Sequence, residues 1–119
     1  MNFKYLQELL SKCYTKDLCY PKVAKNWSEN NKCYGMCAIT ALIVNDYFNG
    51  ELGKIRVEDI SHYFNIINGK IIDFTAPQFK HEIDYSNFEL VDRNSMLQNE
   101  NTKLRYSILK NRLESTLLL

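Results

Sequence analysis

The sequence contains no run of apolar residues that approaches the ~20 needed to cross a membrane. Residues 1–12 lack the basic segment followed by a continuous apolar stretch that marks an export signal. Charge of one sign is not in excess either, because 15 basic and 14 acidic residues are interspersed and leave a formal net charge of +1. These absences argue against a membrane or nucleic-acid partner, and they favour a cytoplasmic, reducing setting in which disulfides are rare.

The chain has instead the composition of a globular domain. It has 119 residues, 45% of them hydrophobic, including eight tyrosines and six phenylalanines. No internal repeat or low-complexity tract interrupts it. We therefore expect a single domain, residues 1–119, with one hydrophobic core.

The segment Tyr34–Phe48 predicts a buried central helix. Tyr34-Gly35 allows the backbone to turn, and only three residues between Cys37 and Phe48 are polar. A helix that is apolar around its whole circumference is buried on all sides. Asn49-Gly50 can adopt the left-handed conformation that ends a helix. The helix is therefore predicted to begin at or near Cys37.

A cysteine in the first turn of a helix is suited to nucleophilic chemistry. The unpaired N–H groups of that turn and the positive end of the helix dipole stabilise a thiolate. Cys37 is therefore the candidate nucleophile, although a cysteine at a helix start is more often a packing residue.

The other cysteines, Cys13, Cys19 and Cys33, are interpreted as small buried hydrophobic residues. The spacing of Cys33 and Cys37 loosely resembles one of the two ligand pairs of a structural zinc site. Cys13 and Cys19 do not supply a second such pair, because five residues separate them and no histidine is nearby. Zinc is kept as the weakest alternative, and no cofactor is expected.

A β-hairpin is the clearest local signal in the sequence. Two runs rich in β-forming residues, Ser61–Ile67 and Lys70–Thr75, flank Asn68-Gly69. This pair specifies a two-residue type I′ turn, which places Ile67 opposite Lys70 and His62 opposite Thr75.

The hairpin register predicts that His62 and Asp73 meet. Both side chains project from the same face, as diagonal neighbours about 7 Å apart at their β-carbons. A slip of one residue would send Asp73 to the opposite face. Together with Cys37 they would form a nucleophile, base and orienting carboxylate. The other histidine, His81, lies in a charged segment that is expected to be solvated.

The remaining elements complete an α+β fold. Residues 2–13 are predicted to form a helix with its apolar side chains on one stripe. Residues 14–33 are predicted to form an irregular loop that can line one side of a cleft. A short strand is predicted at Leu52–Val57. Residues 76–79 are predicted to form a helical turn that Thr75 caps, and residues 88–91 to form an edge strand. Residues 92–95 and 98–101 are predicted as loops. A final helix is predicted from Thr102, with an apolar stripe of Leu109, Leu113 and Leu117. The central helix is expected to pack on one face of a small antiparallel sheet.

Several of these segments carry a resemblance to a known family. Gly35–Leu42, Asp46–Glu51, His62–Asn65 and Asp73–Thr75 with Gln78-Phe79 are similar to the YunG-like family of small, uncharacterised bacterial proteins. The histidine, hairpin and Asp-x-Thr pattern more distantly resembles papain-like and transglutaminase-like thiol enzymes. The resemblance implies a compact papain-like fold and places the triad on Cys37, His62 and Asp73.

The chain departs from the family at Met36, where members tend to have glutamine. Acyl transfer needs hydrogen-bond donors aimed at the developing oxyanion. The backbone N–H of Cys37 can supply one donor, and a second is sought among Asn31, Trp27 and Tyr34. For Asn31 the preferred interpretation is a plain turn residue, since asparagine is commonest in turns.

Two functions therefore follow from the sequence. The first is a thiol hydrolase or acyltransferase that acts on a peptide or a small amide or thioester through an acyl-Cys37 intermediate. The second is a binding or structural module that keeps the fold without turnover. The sequence does not fix the substrate or the oligomeric state.

Overall fold

The central element of the fold is a helix that begins at Cys37. We describe residues 1–118 from a computed structural model of the chain. The helices are α1 (Phe3–Cys13), α2 (Cys37–Phe48), α3 (Arg93–Leu97) and α4 (Glu100–Leu117). The strands are β1 (Glu51–Val57), β2 (Ile60–Ile67), β3 (Lys70–Ile72) and β4 (Glu89–Val91). The chain is thus an α+β protein, as predicted.

Helix α2 is buried along most of its length, as its apolar composition predicts. Its interior residues from Ile39 to Val44 are at most 2% exposed. Asn49 and Gly50 then take positive φ angles of 60° and 77°, which ends the helix where the sequence predicts. The start at Cys37 is also confirmed.

The sheet has the strand order β3-β2-β1-β4, and all neighbouring strands are antiparallel. Asn68 and Gly69 have φ angles of 53° and 76°, which fits the predicted type I′ turn. Ile67 pairs with Lys70. The predicted hairpin register is therefore confirmed as far as the pair of Asn65 with Ile72, and the predicted pairing of His62 with Thr75 lies beyond the end of the ladder. Strand β4 forms the edge strand expected near residues 88–91.

The second strand of the hairpin is shorter than predicted. It ends at Ile72 instead of continuing to Thr75. The Asp73 side chain accepts a hydrogen bond from the Thr75 N–H at 3.2 Å, which turns the chain out of the ladder. A 3₁₀ turn, Ala76–Gln78, follows. Thr75 does not cap this turn with its side chain, so that part of the prediction is wrong.

The two faces of the sheet are covered by different parts of the chain. On one face the Asn65 amide donates to the Ala41 carbonyl of α2 at 2.9 Å. On the other face the Phe64 ring lies edge-on to Tyr85, with ring centroids 5.0 Å apart. Gly53 opposite Phe64 leaves room for that ring, since a Cβ there would come within 2.7 Å of it.

Of the terminal helices, α4 packs on α2, and α1 packs mainly on α4. Helix α1 is capped by Asn2 and buries one stripe of side chains, as predicted. Helix α4 begins at Glu100, two residues before the predicted Thr102, because Asn99 caps it. Leu109 and Leu113 are fully buried, and Leu117 at the end of the stripe is 38% exposed.

Two segments predicted as loops contain helical structure. Residues 92–95 do not form a loop, because the Asp92 side chain accepts the Ser95 N–H and starts the short helix α3. The segment 14–33 contains two 3₁₀ helices, Lys16–Leu18 and Pro21–Asn26. Within residues 1–118, the helices are all too short or too polar to cross a lipid bilayer.

Candidate functional site

Cys37 lies at the first position of α2, on the wall of a cavity. The cavity has a volume of about 350 Å³, and Cys37 is 8% exposed. Within residues 1–118 no side chain caps α2, so the N–H groups of its first turn are not bonded by a capping side chain. The Cys37 thiol donates to the Ser61 carbonyl oxygen on β2 across 3.7 Å. The sulfur is thus held beside the first residues of β2.

His62 follows Ser61 on β2, and its ring is completely buried. Its Nε2 lies 2.6 Å from Oδ2 of Asp73. Because a carboxylate only accepts hydrogen bonds, Nε2 carries the proton and Nδ1 is the basic nitrogen of the neutral ring. The Phe79 ring lies edge-on to the imidazole at 4.9 Å and fixes its plane. The hairpin therefore brings His62 and Asp73 together, as the register predicts.

The environment of His62 favours its protonated form. Burial by itself lowers the pKa of the imidazole. Hydrogen bonds with Asp73 and with the Cys37 side chain, together with the negative charges of both, outweigh burial and raise the pKa to about 9. Cys37 is thus near enough to the imidazole to affect its pKa, and Nδ1 of the ring has no hydrogen-bond partner in residues 1–118. An imidazolium beside a sulfur is the arrangement that stabilises a thiolate.

Asp73 is held by more donors than the sequence suggests. The Tyr85 hydroxyl donates to its Oδ2 at 2.5 Å, the same oxygen that contacts His62. Its other oxygen accepts the Thr75 N–H. Burial and the negative charge of Asp73 raise the pKa of Tyr85 above its ordinary value, so the phenol stays protonated and donates. Sequence reasoning missed Tyr85, because no local pattern links it to the hairpin.

Cys37 approaches His62 at the end of strand β2 and not through the interface between α2 and the sheet. Asn65 of β2 bonds to α2, and side chains three residues apart on a strand project to opposite faces. His62 therefore belongs to the face that α2 does not cover. The sulfur reaches the imidazole because the N-terminus of α2 lies beside Ser61, where β2 begins.

Gln78 also contributes to this site, and sequence reasoning did not assign it a role. It is 5% exposed and lines the same cavity as Cys37. Its Oε1 accepts the Gly35 N–H at 3.0 Å, which fixes the orientation of the amide. Its Nε2 is buried and has no hydrogen-bond partner among residues 1–118. A buried donor without a partner is costly, and it is the donor that a substrate oxygen can satisfy.

The three side chains that the sequence offered as oxyanion or cleft donors do not line this cavity. The Asn31 amide donates to the Gln78 carbonyl at 3.1 Å. The Trp27 indole donates to the Lys32 carbonyl at 2.9 Å. The Asn31 amide and the Trp27 indole are therefore engaged with backbone carbonyls, and Tyr34 is not among the residues that line the cavity. A role for Asn31, Trp27 or Tyr34 toward an oxyanion therefore stays a prediction.

The remaining cysteines are free thiols in apolar surroundings. Cys13 and Cys19 are buried and Cys33 is half-buried. Burial raises the pKa of Cys19 and of Cys33 to about 11, which makes them poor nucleophiles. In the part of the chain that the structure describes, no group of three or more histidine, cysteine or acidic side chains is placed to hold a metal ion.

The fold and site define a small α+β protein with a helix-terminal cysteine beside a histidine–carboxylate pair. The model of the YunG protein family matches residues 2–118, and the chain belongs to this family. It is 40% identical over 62 residues to the uncharacterized protein YunG of Bacillus subtilis (strain 168). That similarity covers 52% of this chain and 54% of the relative, about half the length of each. No solved structure matches the chain.

Proposed function

We propose that this protein is a thiol hydrolase or acyltransferase that acts on an amide or thioester through Cys37. The observation that carries the proposal is the 2.6 Å contact between His62 and Asp73, which leaves Nδ1 of His62 without a hydrogen-bond partner in residues 1–118, while Cys37 lies near enough to the ring to raise its pKa. The roles follow the logic of a triad, with Cys37 as nucleophile, His62 as general acid and base, and Asp73 as the group that orients the ring. Such an arrangement is papain-like.

The proposed reaction has two halves. The Cys37 thiolate attacks the substrate carbonyl carbon, a C–S bond forms, and the carbonyl π electrons move to oxygen. The tetrahedral species collapses, and the leaving amine or thiol takes the proton from Nδ1 of His62. Water or another nucleophile then gives a proton to Nδ1 as it attacks the thioester, and Cys37 departs as thiolate.

Gln78 is proposed as the side-chain donor to the oxyanion. Its buried Nε2 needs a partner, and the backbone N–H of Cys37 at the start of α2 supplies a second donor. This assignment replaces the glutamine that the family tends to place directly before the cysteine, where this chain has Met36. It therefore answers the main objection to activity that the sequence raised.

The first test measures how alkylation of Cys37 depends on pH. Rates of iodoacetamide alkylation are read by peptide mass spectrometry between pH 5.5 and 9 in wild type and His62→Ala. We expect the His62→Ala rate at pH 6 to fall by more than about tenfold, because the imidazolium that stabilises the thiolate is gone. His81→Ala is the matched control, and Cys33 is an internal reference thiol. Identical pH curves in wild type and His62→Ala would overturn the proposal.

The second test separates acyl transfer from simple thiol reactivity. Gln78→Glu keeps the acceptor for the Gly35 N–H and removes the Nε2 donor. We expect acylation by an aryl ester to fall by about a hundredfold to a thousandfold relative to alkylation, since alkylation develops no oxyanion. An unchanged ratio of the two rates would remove Gln78 from the mechanism.

A binding module without turnover is the second candidate, and the burial of the site favours it. His62 is fully buried and Cys37 is 8% exposed, so a bulky acyl group reaches the sulfur only from the cavity. This candidate predicts that small iodoacetamide labels Cys37 while activated esters and thioesters do not acylate it. Acylation followed by release of free Cys37 would exclude it.

A further inference from the structure

Arg105 is a buried cation on the wall of the cavity that contains Cys37. It lies on α4 and is 5% exposed. Its Nε donates to the Asn101 side chain at 2.7 Å, and Nη1 donates to the Leu18 carbonyl at 3.1 Å. Within residues 1–118 no carboxylate forms a salt bridge with it, and Nη2 has no hydrogen-bond partner. The guanidinium is thus fixed in place with donor capacity left over.

A buried guanidinium without a counter-ion is expensive to maintain. Arginine stays protonated in proteins, so it cannot relieve the penalty by losing its proton. Burial lowers the pKa of Arg105, and the negative charge of the Cys37 thiolate opposes that shift. Arg105 and Cys37 are therefore close enough for their charges to interact.

The rest of the cavity wall is also electropositive. Lys22 and Arg56 line it, and Asp59 is the one acidic side chain among the cavity-lining residues of the described chain. Residues from the N-terminal ends of α2 and α4 line the cavity as well, which adds the positive ends of two helix dipoles. The Tyr20 ring lies 5.8 Å from the guanidinium carbon and limits its orientation.

We propose that Arg105 binds an anionic group of the substrate, a carboxylate that lies within the cavity beside the reacting carbonyl. A carboxylate fits the free edge of the planar guanidinium and supplies the missing counter-charge. This inference rests on the proposed thiol chemistry at Cys37. It narrows the substrate class to acyl compounds that carry a carboxylate, such as a dicarboxylic acid monoamide or a peptide end.

The test compares two alkylating reagents that differ mainly in charge. Iodoacetate carries a carboxylate and iodoacetamide does not, and the ratio of their rates at Cys37 cancels changes in thiolate reactivity. We expect Arg105→Met to lower the iodoacetate-to-iodoacetamide ratio by about tenfold or more, the effect of one charge-assisted hydrogen bond. Arg105→Lys keeps the charge and loses the planar fork, so a smaller loss is expected.

Arg56→Met is the matched control, because Arg56 is an exposed cation at the same cavity. Its removal is expected to change the ratio by less than about threefold. An unchanged iodoacetate-to-iodoacetamide ratio in folded Arg105→Met would show that Arg105 only stabilises the thiolate. An equal drop of this ratio in Arg56→Met would show that the overall positive potential of the cavity attracts the reagent, without a specific contact to Arg105. Either result overturns the proposal. If circular dichroism shows that Arg105→Met does not fold, the same ratio is measured in Arg105→Lys, and an unchanged ratio there overturns the proposal.

Protection experiments identify the anion and separate this inference from the proposed function. Succinate and inorganic phosphate are tested for slowing alkylation by iodoacetamide in wild type. Protection by succinate that is weakened in Arg105→Lys supports a carboxylate site, whereas protection by phosphate alone overturns it. The iodoacetate-to-iodoacetamide ratio measures alkylation alone and does not require the protein to turn over a substrate. An Arg105-dependent ratio in a protein whose His62→Ala variant alkylates normally would therefore reject the catalytic proposal alone.

Discussion

Replacing Asp73 by asparagine tests the electrostatic core of the site. In wild type the pKa of His62 is raised to about 9, with burial acting against the shift and Asp73 as its largest favourable contribution. Asp73→Asn keeps the size and an acceptor oxygen but removes the negative charge. Burial then acts with less opposition, and we expect the pKa of His62 to fall by more than about one unit.

The raised pKa also makes folding stability depend on pH. An imidazole with an unfolded pKa near 6.5 and a folded pKa near 9 binds protons more tightly in the native state. Its stabilising contribution is fully present below about pH 6.5 and is lost as the pH rises through about 9. A difference of this size corresponds to about 3 kcal/mol of unfolding free energy.

Two measurements follow from this reasoning. NMR titration of the imidazole protons gives the pKa of His62, with the exposed His81 providing the other imidazole signal. Urea unfolding at several pH values between 6.5 and 9.5 gives the stability change, which we expect to be large in wild type and much reduced in Asp73→Asn. A His62 pKa near 6.5 in wild type, or one that Asp73→Asn leaves unchanged, would refute the ion-pair account.

Three further substitutions test the supports of the site. Tyr85→Phe removes the hydroxyl that donates to Asp73 at 2.5 Å, and urea unfolding should show a loss of about 1–3 kcal/mol; a loss below 0.5 kcal/mol, on the scale of ordinary surface changes, would contradict it. Gly35→Ala places a Cβ 2.3 Å from Cys19 Sγ at a φ of +74°, and should lower the melting temperature and slow Cys37 alkylation together. Asn65→Ala removes the buried amide that binds α2, which should cost about 1–3 kcal/mol in chemical unfolding without changing the pKa of His62 in an NMR titration.

The sequence determined the elements whose information is local. The Asn-Gly turn fixed the hairpin register, and with it the meeting of His62 and Asp73, because a two-residue turn admits one alignment of its strands. The apolar run between a glycine turn and Asn49-Gly50 fixed the buried helix that begins at Cys37.

The tertiary structure decided the groups that approach the site from far along the chain. Gln78 contacts Gly35 across 43 residues, and Arg105 contacts Leu18 across 87. Tyr85 reaches Asp73 from a loop with no periodic pattern. Such contacts depend on how helices and loops pack around the sheet, and neither spacing nor propensity encodes that packing. The sequence thus placed Cys37, His62 and Asp73 near one another, whereas packing alone brought Gln78 and Arg105 to the cavity.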